Sequence, residues 1–190
     1  RDLHSCDIAR NELRTHSQLC PDMAFALGVL GRAEPPRDRI VWLGRRDREV
    51  RHTRKSQEAG TRYADWFDIG PRSVLFHSTR LLFKQSIEHP RKFQLILKPL
   101  HRTHDFMARQ LLEPGLRLLS HGQVVITDRL HGHILSLLLG IPHVLLDNSY
   151  GKLRSFYETW SHDCAMTHWA ETPEEASQTA QALVQTLRMH

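Results

Sequence analysis

The sequence predicts an α/β fold, a parallel β-sheet flanked by helices, and three consecutive segments carry that prediction. Val124–Thr127 is a short apolar run rich in β-branched residues, typical of a buried strand, and His143–Leu146 is a second apolar run of this kind. Between them, Ile134–Leu139 is predicted to be an apolar helix that ends at Gly140 and Pro142. Strand, helix and strand joined by short connections form a βαβ unit, in which the two strands are parallel.

Further elements are predicted upstream of this unit. Asp2–His16 is a helix-forming stretch in which Ser5 can serve as the N-cap. Ile40–Leu43 is a short apolar strand, and the apolar residues of Ser73–Ile87 have helical spacing. Phe93–Leu97 fits either a strand or the continuation of a helical layer, and the sequence leaves both alternatives open.

The remaining segments supply connections and flanking helices. Leu100–Asp105 is rich in histidine and is predicted to be a loop, whereas Phe106–Leu119 has helical spacing that is interrupted at Pro114 and the glycine after it. Ser161–Ala170 is predicted to be a connection. Pro173–Met189 is predicted to be a helix, because proline opens it, two glutamates follow and an arginine lies near its end, as the helix dipole favours.

Composition limits the class of protein. At 190 residues, the chain is expected to form one domain over residues 1–190, or one domain with a small appendage, and its beginning is expected to have been cut from a longer protein. The three cysteines lack the spacing of a zinc site or a disulfide framework, and no apolar run approaches the ~20 residues of a membrane-spanning helix. A formal net charge of +5 suits an anionic partner, and it equally suits a role in solubility alone.

Polar residues that follow the two strands of the βαβ unit are the first candidates for a functional site. Ligands of open parallel sheets bind outside the carboxyl ends of the strands, so these side chains are expected at one edge of the sheet. The residues concerned are Asp128, Arg129, His131 and His133 after the first strand, and Asp147, Asn148 and Lys152 after the second.

The chemistry of this cluster favours an anion with an acid or base beside it. The planar guanidinium of Arg129 matches a carboxylate or phosphate with two hydrogen bonds, and His131 can donate to the same anion or move a proton near neutral pH. Gly132 leaves room for a ligand, and the following helix start adds backbone N–H donors. Structural roles fit the same residues, because Arg129 can pair with Asp128 or Asp147. His131 can equally be a buried, hydrogen-bonded histidine.

A second candidate and several exclusions come from the rest of the chain. Arg45 opens a charged turn, Arg45–Glu49, after the predicted strand Ile40–Leu43, so it can be a second anion clamp or a solvated residue. No carboxylate or cysteine completes a metal-ligand pattern with the histidines, so no metal is predicted. The chain has no G-x-S-x-G, G-x-G-x-x-G or P-loop sequence, and aromatic residues are not interleaved with basic ones as in nucleic-acid-binding proteins.

The segment from Val124 to Lys152 resembles the C-terminal signature of the polysaccharide pyruvyl transferase family. Three elements agree in order, namely TDRLHG at 127–132, GIP at 140–142 and DNSYGK at 147–152. Upstream, Arg45, Asp47 and Glu49 stand at the positions of the family's R-x-D-x-E turn. The resemblance implies a Rossmann-like parallel sheet flanked by helices, like the C-terminal domain of a GT-B fold, with the N-terminal half of the family absent.

The resemblance implies an enzyme that transfers pyruvate from phosphoenolpyruvate to a sugar of a polysaccharide or of its lipid-linked precursor. This transfer forms a pyruvate ketal and releases phosphate. The family binds its donor through the arginine and histidine of R-L-H-G and an upstream arginine. His131 and Asp128 are the expected catalytic residues. No cofactor is expected beside the donor substrate. The expected donor-binding residues are Arg129, His131, Arg45, Asn148 and Lys152.

Two other functions stay open at this point. One is a nucleotide-sugar-dependent GT-B glycosyltransferase, which shares the architecture and also needs cations to bind a diphosphate. The other is a non-catalytic half that binds another chain. The expected partners are phosphoenolpyruvate and a saccharide acceptor, without nucleic acid. The habit of the family favours the cytoplasm, including the inner face of the membrane, and is compatible with peripheral membrane association and with an oligomer. A secretory-pathway lumen stays open as the alternative for a truncated eukaryotic chain.

Overall fold

A five-stranded parallel sheet organises the computed structural model, which describes residues 2–45, 59–66, 84, 85, 88, 97–147 and 151–189. The strands are β1 Asp38–Leu43, β2 Thr61–Ala64, β3 Gly122–Thr127, β4 His143–Leu146 and β5 Thr167–Ala170, in the spatial order β2-β1-β3-β4-β5. The helices are α1 Leu3–Asn11, α2 Leu97–Ser120, α3 Leu130–Leu138, α4 Lys152–Trp160 and α5 Pro173–Met189, with a short 3-10 helix at Met23–Leu27. The predicted α/β class, a Rossmann-like parallel sheet flanked by helices, is confirmed.

The chain divides into two compact units. One comprises Arg1–Asp65 with Arg117–His190 and contains all five of these strands, and the other comprises Trp66–Leu116. The expectation of one domain over residues 1–190 stays a prediction.

Register aligns the ends of three neighbouring strands. Leu43 of β1 pairs with Ala64 of β2 on one side and with Thr127 of β3 on the other. Because all the strands are parallel, the residues that follow these three positions leave the sheet at the same edge, which we call the carboxyl edge. Asp65 and Asp128 are therefore brought to the two sides of the turn that follows β1.

Both faces of the sheet are covered, as expected for parallel strands whose sequences are continuous apolar runs. On one face, α5 contributes Ala176, Ala180 and Val184 to a buried cluster with side chains of the strands, namely Ile40, Trp42, Val124, Ile126, Val144, Leu146 and Ala170. Alternate strand residues project from the opposite face. There α3 approaches closely, because the backbone of Gly132 lies against Thr127 and Leu43. The strands at the carboxyl edge are thus held between packed layers.

Most elements predicted around the βαβ unit are present, with one shift that matters for the site. The helix Pro173–Met189 and the strand His143–Leu146 have the predicted bounds, and β1 and β3 each begin two residues before the predicted strands. The helix predicted at Ile134–Leu139 instead begins at Leu130. The residues Leu130–Gly132 therefore form the first turn of a helix and not a preceding loop.

Several local predictions were wrong. The predicted loop Leu100–Asp105 lies inside α2, and Pro114 does not interrupt that helix. Ser161–Ala170 is more than a connection, because β5 occupies its last four residues. The N-cap of α1 is Asp2, whose carboxylate accepts the backbone N–H of Ser5 at 2.9 Å. Most of the predicted elements Ser73–Ile87 and Phe93–Leu97 lie outside the described residues, and Leu97 itself opens α2.

Candidate active site

The side chain of Arg129 crosses the end of a strand to reach its partner. Arg129 follows β3 and its guanidinium donates from an Nη to a carboxylate oxygen of Asp65, which follows β2. The side chain of Asp65 has 0% exposure and that of Arg129 has 11%. Since β1 lies between β2 and β3, the guanidinium has to reach over the carboxyl end of β1. A cationic group is thereby held at the carboxyl edge, between the ends of β2 and β3.

The carboxylate of Asp128 binds the backbone that follows the neighbouring strand, β1. Its two oxygens lie 3.1 and 3.3 Å from the backbone nitrogen of Arg45, which donates to them. Burial raises the pKa of Asp128, while the Arg45 N–H and the charges of Arg129 and Arg45 oppose that rise. Asp128 thus holds the start of the turn after β1, and its shifted pKa brings its titration closer to neutral pH.

The turn that leads from β3 into α3 is tightly packed. The Thr127 hydroxyl donates to the carbonyl of Leu43 at 3.0 Å, and its oxygen accepts the backbone N–H of Arg129 at 3.1 Å. A Cβ placed on Gly132 would lie 2.5 Å from Thr127 Oγ1 and 3.0 Å from Leu43 Cδ2. The expectation that Gly132 makes room for a ligand is therefore wrong, because Thr127 and Leu43 already fill that space.

His131 is an exposed side chain in the first turn of α3. It has 60% exposure, and its Nε2 lies 3.7 Å from a carboxylate oxygen of Asp22. Asp22 also caps the 3-10 helix by accepting the backbone N–H of Ala24 at 3.0 Å. At the start of α3, the N-cap Arg129 makes no side-chain capping hydrogen bond. The first turn of α3 therefore presents an imidazole and backbone N–H groups at the positive end of the helix dipole.

His133, which was grouped with the site residues from the sequence, points into the interior instead. The Nδ1 of His143 lies 2.8 Å from the carbonyl oxygen of Ile141, so it carries the proton and donates. The Nε2 of a neutral His143 then accepts from His133 Nδ1 at 2.7 Å, and His133 Nε2 accepts from the Ser161 hydroxyl at 2.9 Å. Burial lowers the pKa of both histidines. This buried chain of hydrogen bonds fixes α3 against β4 and is not accessible to a substrate.

The structure describes two of the three predicted residues after β4. Asp147 is buried, and its carboxylate lies 3.7 Å from Nε of Arg154. Lys152 is the exposed first residue of α4, and Asn148 lies outside the described residues, as do Asp47 and Glu49 of the charged turn after β1. Within the described ranges, no group of three His, Cys, Asp or Glu side chains is arranged to hold a metal ion. Among the helices of those ranges, none combines the length and apolar character that crossing a bilayer requires.

Comparison with known proteins decides the family. A sequence model described as "Polysaccharide pyruvyl transferase" matches residues 1–150, which includes the segment from Arg45 to Asn148. The chain belongs to the polysaccharide pyruvyl transferase family. Three curated proteins are similar to this family member. Pyruvyl transferase 1 of Schizosaccharomyces pombe is 28% identical over 172 residues, 87% of this chain and 40% of that protein.

The other two relatives are both from Bacillus subtilis. The putative pyruvyl transferase EpsO is 31% identical over 147 residues, which cover 76% of this chain and 44% of that protein. General stress protein 30 is 23% identical over 160 residues, 84% of this chain and 40% of that protein. This pyruvyl transferase family member thus spans less than half of the length of the relatives that it matches.

In this family member, the structure brings several of the sequence-predicted residues to the carboxyl edge. Asp128, Arg129 and the backbone of Arg45 meet there, and His131 lies on the adjoining helical turn. Asp65, a partner of Arg129, was not predicted from the sequence as a site residue. Its position depends on β2, and the short, partly exposed segment Thr61–Ala64 carries no clear strand pattern in the sequence. The catalytic and donor-binding roles themselves stay predictions.

Proposed function

We propose that this chain carries the donor-binding edge of a polysaccharide pyruvyl transferase, and that the donor is phosphoenolpyruvate. Pyruvate is transferred to a sugar as a ketal, and phosphate is released. The observation that carries the proposal is the position of Arg129, which is the N-cap of α3 and whose guanidinium reaches over the end of β1 to Asp65. The family match and the pyruvyl transferase names of two relatives support the same class of reaction.

The charge of the donor explains why this edge suits it. Phosphoenolpyruvate carries a phosphate and a carboxylate on the same carbon, and bringing such a group out of water requires cations and N–H donors. Arg129 supplies a planar guanidinium, and α3 supplies a helix N-terminus with His131 on its first turn. Arg45 and Lys152 are the further cations that we propose for the same donor, together with Asn148.

The reaction needs protons to move between oxygen and carbon. Two sugar hydroxyls form bonds to the central carbon of the donor, and the bond from that carbon to the phosphate oxygen breaks. The methylene carbon gains one proton and becomes a methyl group, while the second hydroxyl proton leaves with the phosphate. We assign these transfers to His131, which is exposed on the first turn of α3 two residues after Arg129, and to Asp128, whose raised pKa makes it a better proton acceptor than an ordinary aspartate.

The acceptor and the setting follow from the class of enzyme. We propose a saccharide acceptor that is part of a polysaccharide or of its lipid-linked precursor, as in exopolysaccharide biosynthesis. In this proposal the protein meets its acceptor at the cytoplasmic face of a membrane, with which it associates peripherally, and it acts as an oligomer. In this proposal the chain corresponds to the C-terminal half of a GT-B-like enzyme.

A binding titration tests the proposal with the 190-residue chain itself. Calorimetric titrations with phosphoenolpyruvate, phosphate, pyruvate and a nucleotide sugar should show the tightest binding for phosphoenolpyruvate. His131→Ala should weaken that binding more than about tenfold, since a charge-assisted hydrogen bond contributes roughly 1.5–3 kcal/mol.

The matched control is His162→Ala. His162 is also exposed, at 52%, but lies in the turn after α4 and away from the end of β3, so its replacement should leave the affinity unchanged. Failure of the chain to bind phosphoenolpyruvate at millimolar concentration contradicts the proposal. Preferential binding of the nucleotide sugar would instead identify a glycosyltransferase.

A further inference from the structure

We propose that Asp65 is a positioning residue for the donor, because it holds the guanidinium of Arg129 over the end of β1. This inference rests on the proposed function and assigns a role to a residue that the family signature in this chain does not include. Asp65 does not itself contact the donor in this proposal. Its effect on the reaction is exerted through the orientation of Arg129.

The order of the strands determines the direction in which Arg129 extends. Asp65 follows β2 and Arg129 follows β3, and these strands are separated by β1. Neighbouring strands are about 4.8 Å apart, so the pair bridges a gap of about 10 Å between strand axes. An arginine side chain spans this gap only when it is extended across the intervening strand. Pairing with Asp65 therefore selects an extended orientation of Arg129 from the many that an arginine can adopt.

Arg129 is fixed at both ends. Its backbone N–H donates to Thr127 Oγ1 at 3.1 Å, and the Thr127 hydroxyl donates in turn to the carbonyl of Leu43 at 3.0 Å. Its guanidinium is held by Asp65. A cation that is ordered before the ligand arrives loses little entropy on binding, and this preorganisation increases affinity. It also favours transition states in which charge develops at a fixed position.

Stability alone does not account for the buried pair. The side chain of Asp65 is fully buried, and removal of two charges from water costs several kcal/mol per ion, which their attraction often only offsets. Apolar residues of similar size would commonly serve the fold equally well. A guanidinium has five N–H donors in one plane, so it can bind a carboxylate on one side and a second anion on another. The pair therefore suits a site that binds an anion more than it suits a packed core.

The test compares Asp65→Asn with a matched control in the same sheet. Asn has almost the same size as Asp but cannot hold the guanidinium with a charge. We expect Asp65→Asn to weaken phosphoenolpyruvate binding at least about tenfold and to lower the ratio of phosphoenolpyruvate affinity to phosphate affinity. Asp38→Asn should change neither value, because Asp38 opens β1 at the opposite edge. Circular dichroism and urea unfolding establish that each variant is folded.

A double-mutant cycle separates a positioning role from a structural one. Arg129→Lys keeps a charge but lacks the fork, so alone it should weaken binding about as much as Asp65→Asn. The double variant should then bind no more weakly than either single variant, because both changes remove the same arrangement. Additive losses, or an unchanged affinity in a folded Asp65→Asn protein, overturn the inference. If Asp65→Asn does not fold, Asp65→Glu keeps the charge and displaces the guanidinium, and unchanged affinity in that variant has the same meaning.

The two proposals fail in different ways. If the unmodified chain does not bind phosphoenolpyruvate, the proposed function fails and the role of Asp65 fails with it. If the unmodified chain binds phosphoenolpyruvate and His131→Ala weakens that binding, while Asp65→Asn leaves it unchanged, the role of Asp65 alone is refuted.

Discussion

The buried pair His133 and His143 predicts that the protein loses stability between pH 7.5 and pH 5. Burial lowers the pKa of His143 to about 4, and burial together with the neighbouring His143 lowers that of His133 still further. In the unfolded chain both pKa values return to about 6.5. Below that pH the unfolded state binds two protons that the folded state does not bind. Stability is therefore complete above about pH 6.5 and falls as the pH is lowered.

The size of the stability loss follows from how far the pH lies below the pKa of each histidine in the unfolded chain. At pH 5, each histidine is about 1.5 pH units below its unfolded pKa, and one unit corresponds to about 1.36 kcal/mol, so each contributes a loss of about 2 kcal/mol. The pair together should lower the free energy of unfolding by about 4 kcal/mol relative to pH 7.5. This is a large part of the roughly 5–15 kcal/mol that stabilises a typical domain.

His133→Asn isolates the contribution of His133 to this loss of stability. The asparagine amide can still donate towards His143 Nε2 in place of His133 Nδ1, but one titrating group is lost. The pH-dependent loss should then shrink to about 2 kcal/mol. His131→Asn is the control, because His131 is exposed on the same helix, and it should keep the loss of about 4 kcal/mol.

Urea unfolding followed by tryptophan fluorescence at pH 7.5, 6.25 and 5 measures these differences. Carboxylates that titrate in this range contribute equally to all three proteins, so the comparison between variants removes their effect. If His133→Asn loses as much stability as the unmodified protein, the two histidines are not both neutral in the folded state and the assigned tautomers are incorrect.

Two further predictions concern packing and capping. Gly132→Ala should lower the free energy of unfolding by about 1–3 kcal/mol, because the new Cβ overlaps Thr127 Oγ1. Gly31→Ala is the control and should change the free energy of unfolding little, because a Cβ at Gly31 meets nothing within 4 Å. Equal effects of the two substitutions in urea unfolding would contradict this account of α3 packing. Asp2→Ala should lower the free energy of unfolding by about 1 kcal/mol, because the N-cap contact with Ser5 is lost. Asp2→Asn should keep most of the stability, because asparagine also caps helices. Thermal unfolding that shows the same loss for both variants would argue against the cap.

The central strands could be predicted from the sequence, and the strands at the two edges could not. β3 and β4 are buried over most of their length, so they appear as apolar runs. β2 and β5 are partly exposed, and polar residues such as Arg62 and His168 interrupt their sequences. Without β2, the position of Asp65 beside Arg129 could not be inferred, because strand order is a long-range property that local patterns do not encode.

The histidines of the site show how a small error in a helix boundary changes the interpretation of a residue. With the helix predicted to begin at Ile134, His131 and His133 both lay in a turn and both could face a ligand. In the structure α3 begins at Leu130, and residues two apart on a helix differ by about 200° in direction. One of the two must then face the interior when the other faces solvent. The apolar character of Ile134–Leu139 carried no information about this boundary.

The position of β1 between β2 and β3 is the structural condition for the proposed site. It places the turn after β1 between two carboxylates, of which Asp128 binds the backbone of Arg45 and Asp65 binds the side chain of Arg129. Without such partners, two arginines at one edge would repel each other and sample many orientations. Asp65 therefore reduces the net positive charge of the carboxyl edge but fixes where the guanidinium of Arg129 lies. A small donor with two anionic groups gains more from a cation in a fixed position than from additional mobile charge.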